Sequence, residues 1–171
     1  QISHPMNDTN PHHASGLHSH ARPLLAEWER APVERCLPPA LVHKARAENV
    51  ALARVAALEI PHRFLSQVCV RPTHPFFFDH PLDHLPGMLL IEAARQFGVA
   101  VAHRFYDVPA DTHFSLSGMR VDFTRFAELD SPTFILGAVE DRVSRRGKLQ
   151  QMTFTGGFVN RGQQIGEMSG T

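Results

Sequence analysis

Hydrophobic and polar positions along this chain change their period twice. Residues 50–58 and 63–70 read as extended segments. The second is clearer, because Phe64, Val68 and Val70 fall at even positions among more polar neighbours. Around residue 88 the spacing turns helical. Leu89, Leu90, Ala93, Phe97, Ala100 and Val101 then spread over a broad apolar face that runs to about residue 105. Pro86 suits the first turn of that helix, where its missing N–H costs nothing, and Asp107 and Pro109 predict its end. Gly98 lowers the helix propensity but permits close approach by a sheet. Beyond the helix, residues 114–126, 133–143 and 149–160 are rich in Phe, Val, Thr and Ile and predict strands. The polar SRRGK step at 144–148 predicts a hairpin turn between the last two. Arg161-Gly162 predicts another turn, leading to a short final strand that ends near Met168. Upstream, Leu24, Leu25, Trp28 and Val33 predict a short helix over 23–36, limited by Pro32 and Pro38-Pro39. No internal repeat is visible. The order of strand, strand, long apolar helix and three or four strands predicts an α+β domain, one antiparallel sheet wrapped around one helix.

Composition narrows this picture. The chain has 171 residues and 43% apolar content, enough for one domain with a real core. Residues 1–21 hold five of the 12 histidines among Asn, Ser, Pro and Gly, and are expected to be a disordered tail preceding a single domain over 22–171. Lys+Arg and Asp+Glu both total 17, so no general electrostatic drive toward nucleic acid or an anionic membrane exists. No apolar run reaches the roughly 20 residues that span a bilayer. The N-terminus lacks the basic start and apolar core of a signal peptide. Cys36 and Cys69 are too few for a disulfide framework, which makes a reducing, cytoplasmic setting the default expectation.

Candidate chemistry concentrates in HPFFFDHPLDHLPGMLLIEAARQ, residues 74–96. A loop dense in His and Asp meets a Pro-Gly step and then the apolar helix, which carries Glu92, Arg95 and Gln96 within one turn. Spacings of three and four point all three side chains the same way, with His103 near that direction two to three turns on. Charges on a helix flanked by MLLI and FGVAVA are costly unless paired or used, so they are expected to face a cavity. The opening turn at Gly87 and Met88 offers unpaired backbone N–H groups and the positive end of the helix dipole, a donor pair suited to an oxyanion. The loop residues His74, Asp79, His80, Asp83 and His84 leave three readings open. They match no metal-ligand spacing, so no metal or other cofactor is expected. They suit caps that satisfy loop and helix ends. They also suit a histidine acting as acid, base or substrate positioner. The basic turn Arg145, Arg146 and Lys148 is a surface feature that an acidic carrier protein could use.

DHPLDHLPGMLLIEAARQ resembles the signature of the A-factor biosynthesis hotdog family, the bacterial γ-butyrolactone autoregulator synthases. LVHKARAENV, at 41–50, is similar to that family's recurrent opening of Val-His, a basic residue and a later acidic-Val step. FDHPLDHLPGM resembles the stretch before the helix in the family's second repeat. The likeness runs in pieces from about Leu41 to Phe126. The Pro-Gly step five residues before a helix carboxylate also resembles the hotdog dehydratases.

The resemblance implies a hotdog fold and an acyltransferase. Such an enzyme condenses a β-ketoacyl thioester, on an acyl carrier protein or coenzyme A, with the hydroxyl of dihydroxyacetone phosphate. Glu92 would be the general base, with Arg95 holding the acceptor's phosphate or orienting Glu92. Gly87 and Met88 would bind the oxyanion, and His80 or His84 would position the thioester or carry the proton. Asp83, Gln96 and His74 would bind substrate. Family members carry two hotdog repeats, whereas this chain has room for one, so a homodimer is expected. Two alternatives share the fold: a dehydratase or thioesterase, and a non-catalytic binder of acyl carriers. The dehydratase-like histidine lies about nine residues before the glycine, and that place is Phe78 here, which argues against dehydration.

Overall fold

A computed structural model describes residues 12–171 of the chain. Across them one antiparallel sheet is built from β1 (Leu52–Ala57), β2 (Arg63–Val68), β3 (Met119–Phe123), β4 (Thr133–Arg145), β5 (Lys148–Asn160) and β6 (Gln163–Gly170). The strand order is β1-β2-β4-β5-β6-β3. Both hairpin turns expected from the sequence are present. Arg146-Gly147 has φ of 53° and 74°, and Arg161-Gly162 has 50° and 69°. Two consecutive left-handed residues match the right-handed twist of the strands they join, which is why a glycine sits second in each turn.

The long helix α2 (Gly87–Phe105) packs on one face of the sheet. Its Ala93, Ala94, Phe97, Ala100 and Val101 are fully buried against Phe64, Ile135, Phe154 and Phe158. Small residues set the spacing between layers. A Cβ on Gly98 would stand 2.9 Å from the Phe154 ring, and one on Gly137 would stand 2.5 Å from the Phe97 ring. Each glycine is therefore the socket for one phenylalanine.

The alternating partners on β2, β4 and β5 face the other way. Leu65, Phe134, Leu136 and Val159 meet Ala21, Leu25 and Trp28 of α1 (His12–Arg30), so α1 covers the sheet face opposite the long helix that the sheet wraps. The predicted helix over 23–36 is displaced toward the N-terminus. It contains Pro23, ends at Arg30 before Pro32, and begins at His12, inside the segment expected to be a disordered tail. Ala21 is fully buried, because α1 needs its apolar stripe to close the exposed sheet face. The remainder of that expected tail, residues 1–11, lies outside the described residues. The Arg54 guanidinium rests over the Trp28 ring at 5.6 Å and donates to the carbonyls of Ala31 and Pro32, tying the end of α1 to β1.

The strand expected over 114–126 is shorter in the structure. It ends at Phe123 because the Thr124 and Arg125 amides both turn to one carbonyl, that of Ile165, which breaks the ladder. The two cysteines are not free. Leu37 N–H donates to Leu52 O and Cys69 N–H to Ala51 O, bringing the Cα atoms of Cys36 and Cys69 to 5.8 Å, where they form a disulfide. Cysteine count therefore gives no support to a reducing setting for this chain. No helix among the described residues is long and apolar enough to cross a membrane.

Candidate active site

Glu92 lies one turn into α2 and lines a cleft, and four donors converge on it. Arg95 Nε donates to Oε2 at 2.9 Å and Arg95 Nη2 to Oε1 at 2.9 Å, a bidentate pair that the i, i+3 spacing makes possible. Gln96 Nε2 donates to Oε1 at 2.8 Å, and Lys44 Nζ reaches the same oxygen at 2.6 Å. Burial pushes the Glu92 carboxyl up, but the hydrogen bonds from Arg95, Gln96 and Lys44 and the charge of Arg95 outweigh it, leaving the pKa at about 2. Glu92 is therefore a carboxylate throughout the neutral range.

Gln96 explains how the other residues reach it. Its side chain is fully buried, so every polar atom must find a partner. Its Oε1 accepts from Ala51 N–H at 2.8 Å, and its Nε2 donates to Asn49 O at 2.8 Å as well as to Glu92. This side chain reads the backbone on both sides of Val50 and locks the 41–50 segment along α2. His74 makes the next link. Its Nδ1 accepts from the Phe76 and Phe77 amides, which puts its proton on Nε2, donated to Asn49 Oδ1 at 3.0 Å. His74 thus clamps the Phe76–Phe77 turn onto Asn49.

Between these elements opens a cleft of about 290 Å³. Glu92, Lys44, Asn49 and His74 form its polar side, and Phe76, Phe77 and Ile91 its apolar side. Met88, 54% exposed, stands at its edge. No side chain caps the N-terminus of α2. The Leu89 and Leu90 amides fold back onto the Pro86 carbonyl, and Gly87 packs with its Cα against the Phe123 ring of β3.

The residues singled out in the sequence thus divide into two groups. Glu92, His74 and Met88 line the cleft, and Arg95 and Gln96 join them through their hydrogen bonds to Glu92. His80 and His84 do not join them within this chain. Each turns back to its preceding aspartate, His80 to Asp79 and His84 to Asp83, and the His84 ring lies on Phe126 at 4.4 Å between centroids. Asp83 is exposed, and its hydrogen bond from His84 holds its carboxyl below the usual carboxylate range. His103 also misses the cleft. It donates from Nδ1 to Val108 O at 2.7 Å, and its Nε2 meets His43 Nε2 at 2.8 Å, with Phe114 edge-on to both rings. Burial, then His103, Arg95 and His113, lowers the His43 pKa. Among the described residues no three His, Cys, Asp or Glu side chains converge as a metal ion would require.

Lys44 and Asn49 carry as much of the site as the helix does, yet composition and periodicity give no reason to choose them. The signal that could have found them is the LVHKARAENV segment, whose basic residue and penultimate position are Lys44 and Asn49.

Comparison with known proteins identifies the family of this chain. A 2-oxo-3-(phosphooxy)propyl 3-oxoalkanoate synthase of Streptomyces virginiae is 38% identical over 104 residues, covering 61% of this chain and 31% of that protein. The protein of the same name from Streptomyces coelicolor is 37% identical over 119 residues, covering 70% of this chain and 33% of its own length. The chain thus spans about a third of the length of the curated relatives it matches. Among solved structures, a phenylacetic acid degradation-related protein of Ralstonia eutropha superimposes with a TM-score of 0.51 at 13% identity, over 68% of this chain and 80% of that one. That likeness speaks for the fold alone. Residues 25–171 match the A-factor biosynthesis hotdog domain, and the chain belongs to that family.

Proposed function

We propose that this domain joins a β-ketoacyl thioester to the hydroxyl of a small phosphorylated acceptor, dihydroxyacetone phosphate, in the making of a γ-butyrolactone-type signal or related secondary metabolite. The observation that carries this reading is the Glu92 carboxylate and its donors. It sits between two cations on the polar wall of a cleft whose other wall is aromatic and aliphatic. The product named for the relatives, a 3-oxoalkanoate ester of a phosphorylated three-carbon ketone, needs those two surfaces: one for an acyl chain, one for a phosphate and a hydroxyl.

In this reading the acyl chain lies against Phe76, Phe77 and Ile91. The thioester carbonyl points to the Gly87 and Met88 amides, which hold the oxyanion. The acceptor hydroxyl approaches Glu92, a C–O bond forms at the carbonyl carbon, and the C–S bond breaks. Glu92 takes the hydroxyl proton and returns it to the departing thiolate. Arg95 orients the carboxylate through its planar fork. His74 shapes the cleft through Asn49 rather than exchanging protons, since both its nitrogens are engaged.

The thioester would arrive on an acyl carrier protein or coenzyme A. A second copy of this chain would supply the neighbouring hotdog unit. The open edge of β3, the exposed Phe126, and the exposed Phe76 and Met88 of the cleft support that pairing. His80 and His84 lie on the loop between Phe76 and Met88 and would then face the partner.

The test is mass spectrometry of the protein incubated with a β-ketoacyl thioester, with and without dihydroxyacetone phosphate. A phosphorylated ester formed only when both are present is the expected result. Free β-keto acid or a dehydrated thioester would move the domain to hydrolase or dehydratase chemistry. Retention of intact thioester without product would make it a binder.

A further inference from the structure

Lys44 is the residue in the site that the reaction outlined above leaves unused. It follows the 3₁₀ turn Pro39–Val42 and the left-handed His43, which swing its side chain over α2 and into the cleft wall. We propose that Lys44 is a phosphate-monoester-binding residue that exchanges partners: it holds Glu92 in the arrangement described here, moves to the phosphate of the acceptor when that substrate enters, and so uncovers the oxygen that receives the hydroxyl proton. This rests on the acceptor being a phosphate ester, as proposed above, and adds how the site recognises it.

Crowding on Glu92 shows which contact can yield. Oε1 takes three donors, from Arg95, Gln96 and Lys44, while Oε2 takes one from Arg95. A carboxylate oxygen has two lone-pair directions, so the three donors on Oε1 compete. Arg95 and Gln96 are fixed one turn away on the same helix, and Gln96 is further pinned by Ala51 and Asn49. Lys44 has neither constraint. It reaches Glu92 from a separate loop on a four-carbon stem, its side chain is 24% exposed, and its ammonium has three donors of which Glu92 takes one.

Charge favours the exchange. Lys44 and Arg95 face one carboxylate, so two cations meet a single anion there. A phosphate dianion neutralises that excess better than a carboxylate already paired with Arg95. When Lys44 leaves, Glu92 loses one of the donors that depress its pKa and becomes a stronger base at the moment the hydroxyl is beside it. The step is balanced. The hydroxyl oxygen bonds to the acyl carbon, its proton passes to the uncovered Glu92 oxygen, and the C–S pair leaves with sulfur, which takes the proton back.

The experiment is an NMR titration of the full chain, labelled at Lys Nζ and Glu Cδ, with glycerol 3-phosphate; pantetheine 4′-phosphate serves as a second arm. Expected are Lys44 and Glu92 signals that shift together along one binding curve with glycerol 3-phosphate, and a Glu92 titration midpoint that rises in the complex. Lys44→Met should weaken phosphate binding about tenfold or more, and Lys44→Arg should restore part of it. The wild-type titration needs no variant to fold. Phosphate binding that leaves either signal unmoved, no saturable binding in the millimolar range, or a response to pantetheine 4′-phosphate alone would each overturn the proposal. If both signals respond but no β-ketoacyl ester ever forms, the phosphate site stands and the acyl-transfer reading falls. Ester formation with both signals unmoved gives the reverse.

Discussion

Replacing Glu92 with Gln tests the central electrostatic claim without reference to catalysis. The folded carboxyl has a pKa of about 2 against an ordinary 4.5, so folding favours its ionised form. At ~1.4 kcal/mol per pKa unit, that difference stabilises the wild type by about 3 kcal/mol at neutral pH. Little discount for solvent screening applies, because the Glu92 side chain is 20% exposed. The sign follows from the depressed pKa. The contribution is complete above the unfolded value of 4.5 and is lost as pH falls toward the folded value of about 2. At pH 3 about 2 kcal/mol of it should be gone. Glu92→Gln keeps the shape and removes the titration, so its stability should be insensitive to this group. Urea unfolding of both proteins between pH 7 and pH 3, followed by circular dichroism, reads the difference. The gap in unfolding free energy should narrow by about 2 kcal/mol across that range. A gap that stays constant with pH would refute the reasoning, because it would mean that Glu92 folds with an unshifted pKa and that its four donors do not act as described.

Three further outcomes follow from the same geometry. Arg95→Lys keeps the charge but loses the fork, so kcat should fall by about tenfold or more while the KM for the phosphorylated acceptor stays within about twofold. A raised KM at unchanged kcat would instead make Arg95 the phosphate clamp. Gly137→Ala puts a Cβ 2.5 Å from the Phe97 ring in the packed layer between β4 and α2, and should cost about 1–3 kcal/mol in thermal unfolding. An unchanged Tm would show that the layer has room that the structure denies it. Reduction of Cys36–Cys69 opens a 33-residue separation, worth about 3–4 kcal/mol on chain-entropy grounds, so the midpoint in urea should drop when dithiothreitol is added and the Cys36→Ser variant should match the reduced protein.

Local rules made much of the fold legible. The period of Leu89, Leu90, Ala93 and Phe97 identifies α2, which runs Gly87–Phe105 as its Pro86 start and Asp107 stop require. Arg161-Gly162 and the SRRGK step place the turns, since both depend on backbone conformations that neighbouring residues set. Strand ends were less legible. Phe123 terminates β3 because two amides share the Ile165 carbonyl, a contact 40 residues distant that no local pattern encodes. The start of α1 was hidden for the same kind of reason. Its His-, Ser- and Gly-containing sequence lacks strong helical preference, and its order comes from docking Ala21, Leu25 and Trp28 on the free face of the sheet.

By itself the sequence determined the α+β class, the buried helix and the charged triplet Glu92, Arg95 and Gln96, because i, i+3 and i, i+4 neighbours meet whatever surrounds them. Resemblance in the 41–50 and 79–96 segments added the family. The tertiary structure alone decided which histidines reach the site and what state the carboxylate is in. His80 and His84 satisfy themselves on adjacent aspartates, whereas His74 is carried to Asn49 by the turn it caps. Lys44 arrives from 48 positions before Glu92 in the numbering, set down by a 3₁₀ turn and by Gln96 gripping the backbone on either side of Val50. A pKa depends on distances and burial, and those exist only once distant segments have packed.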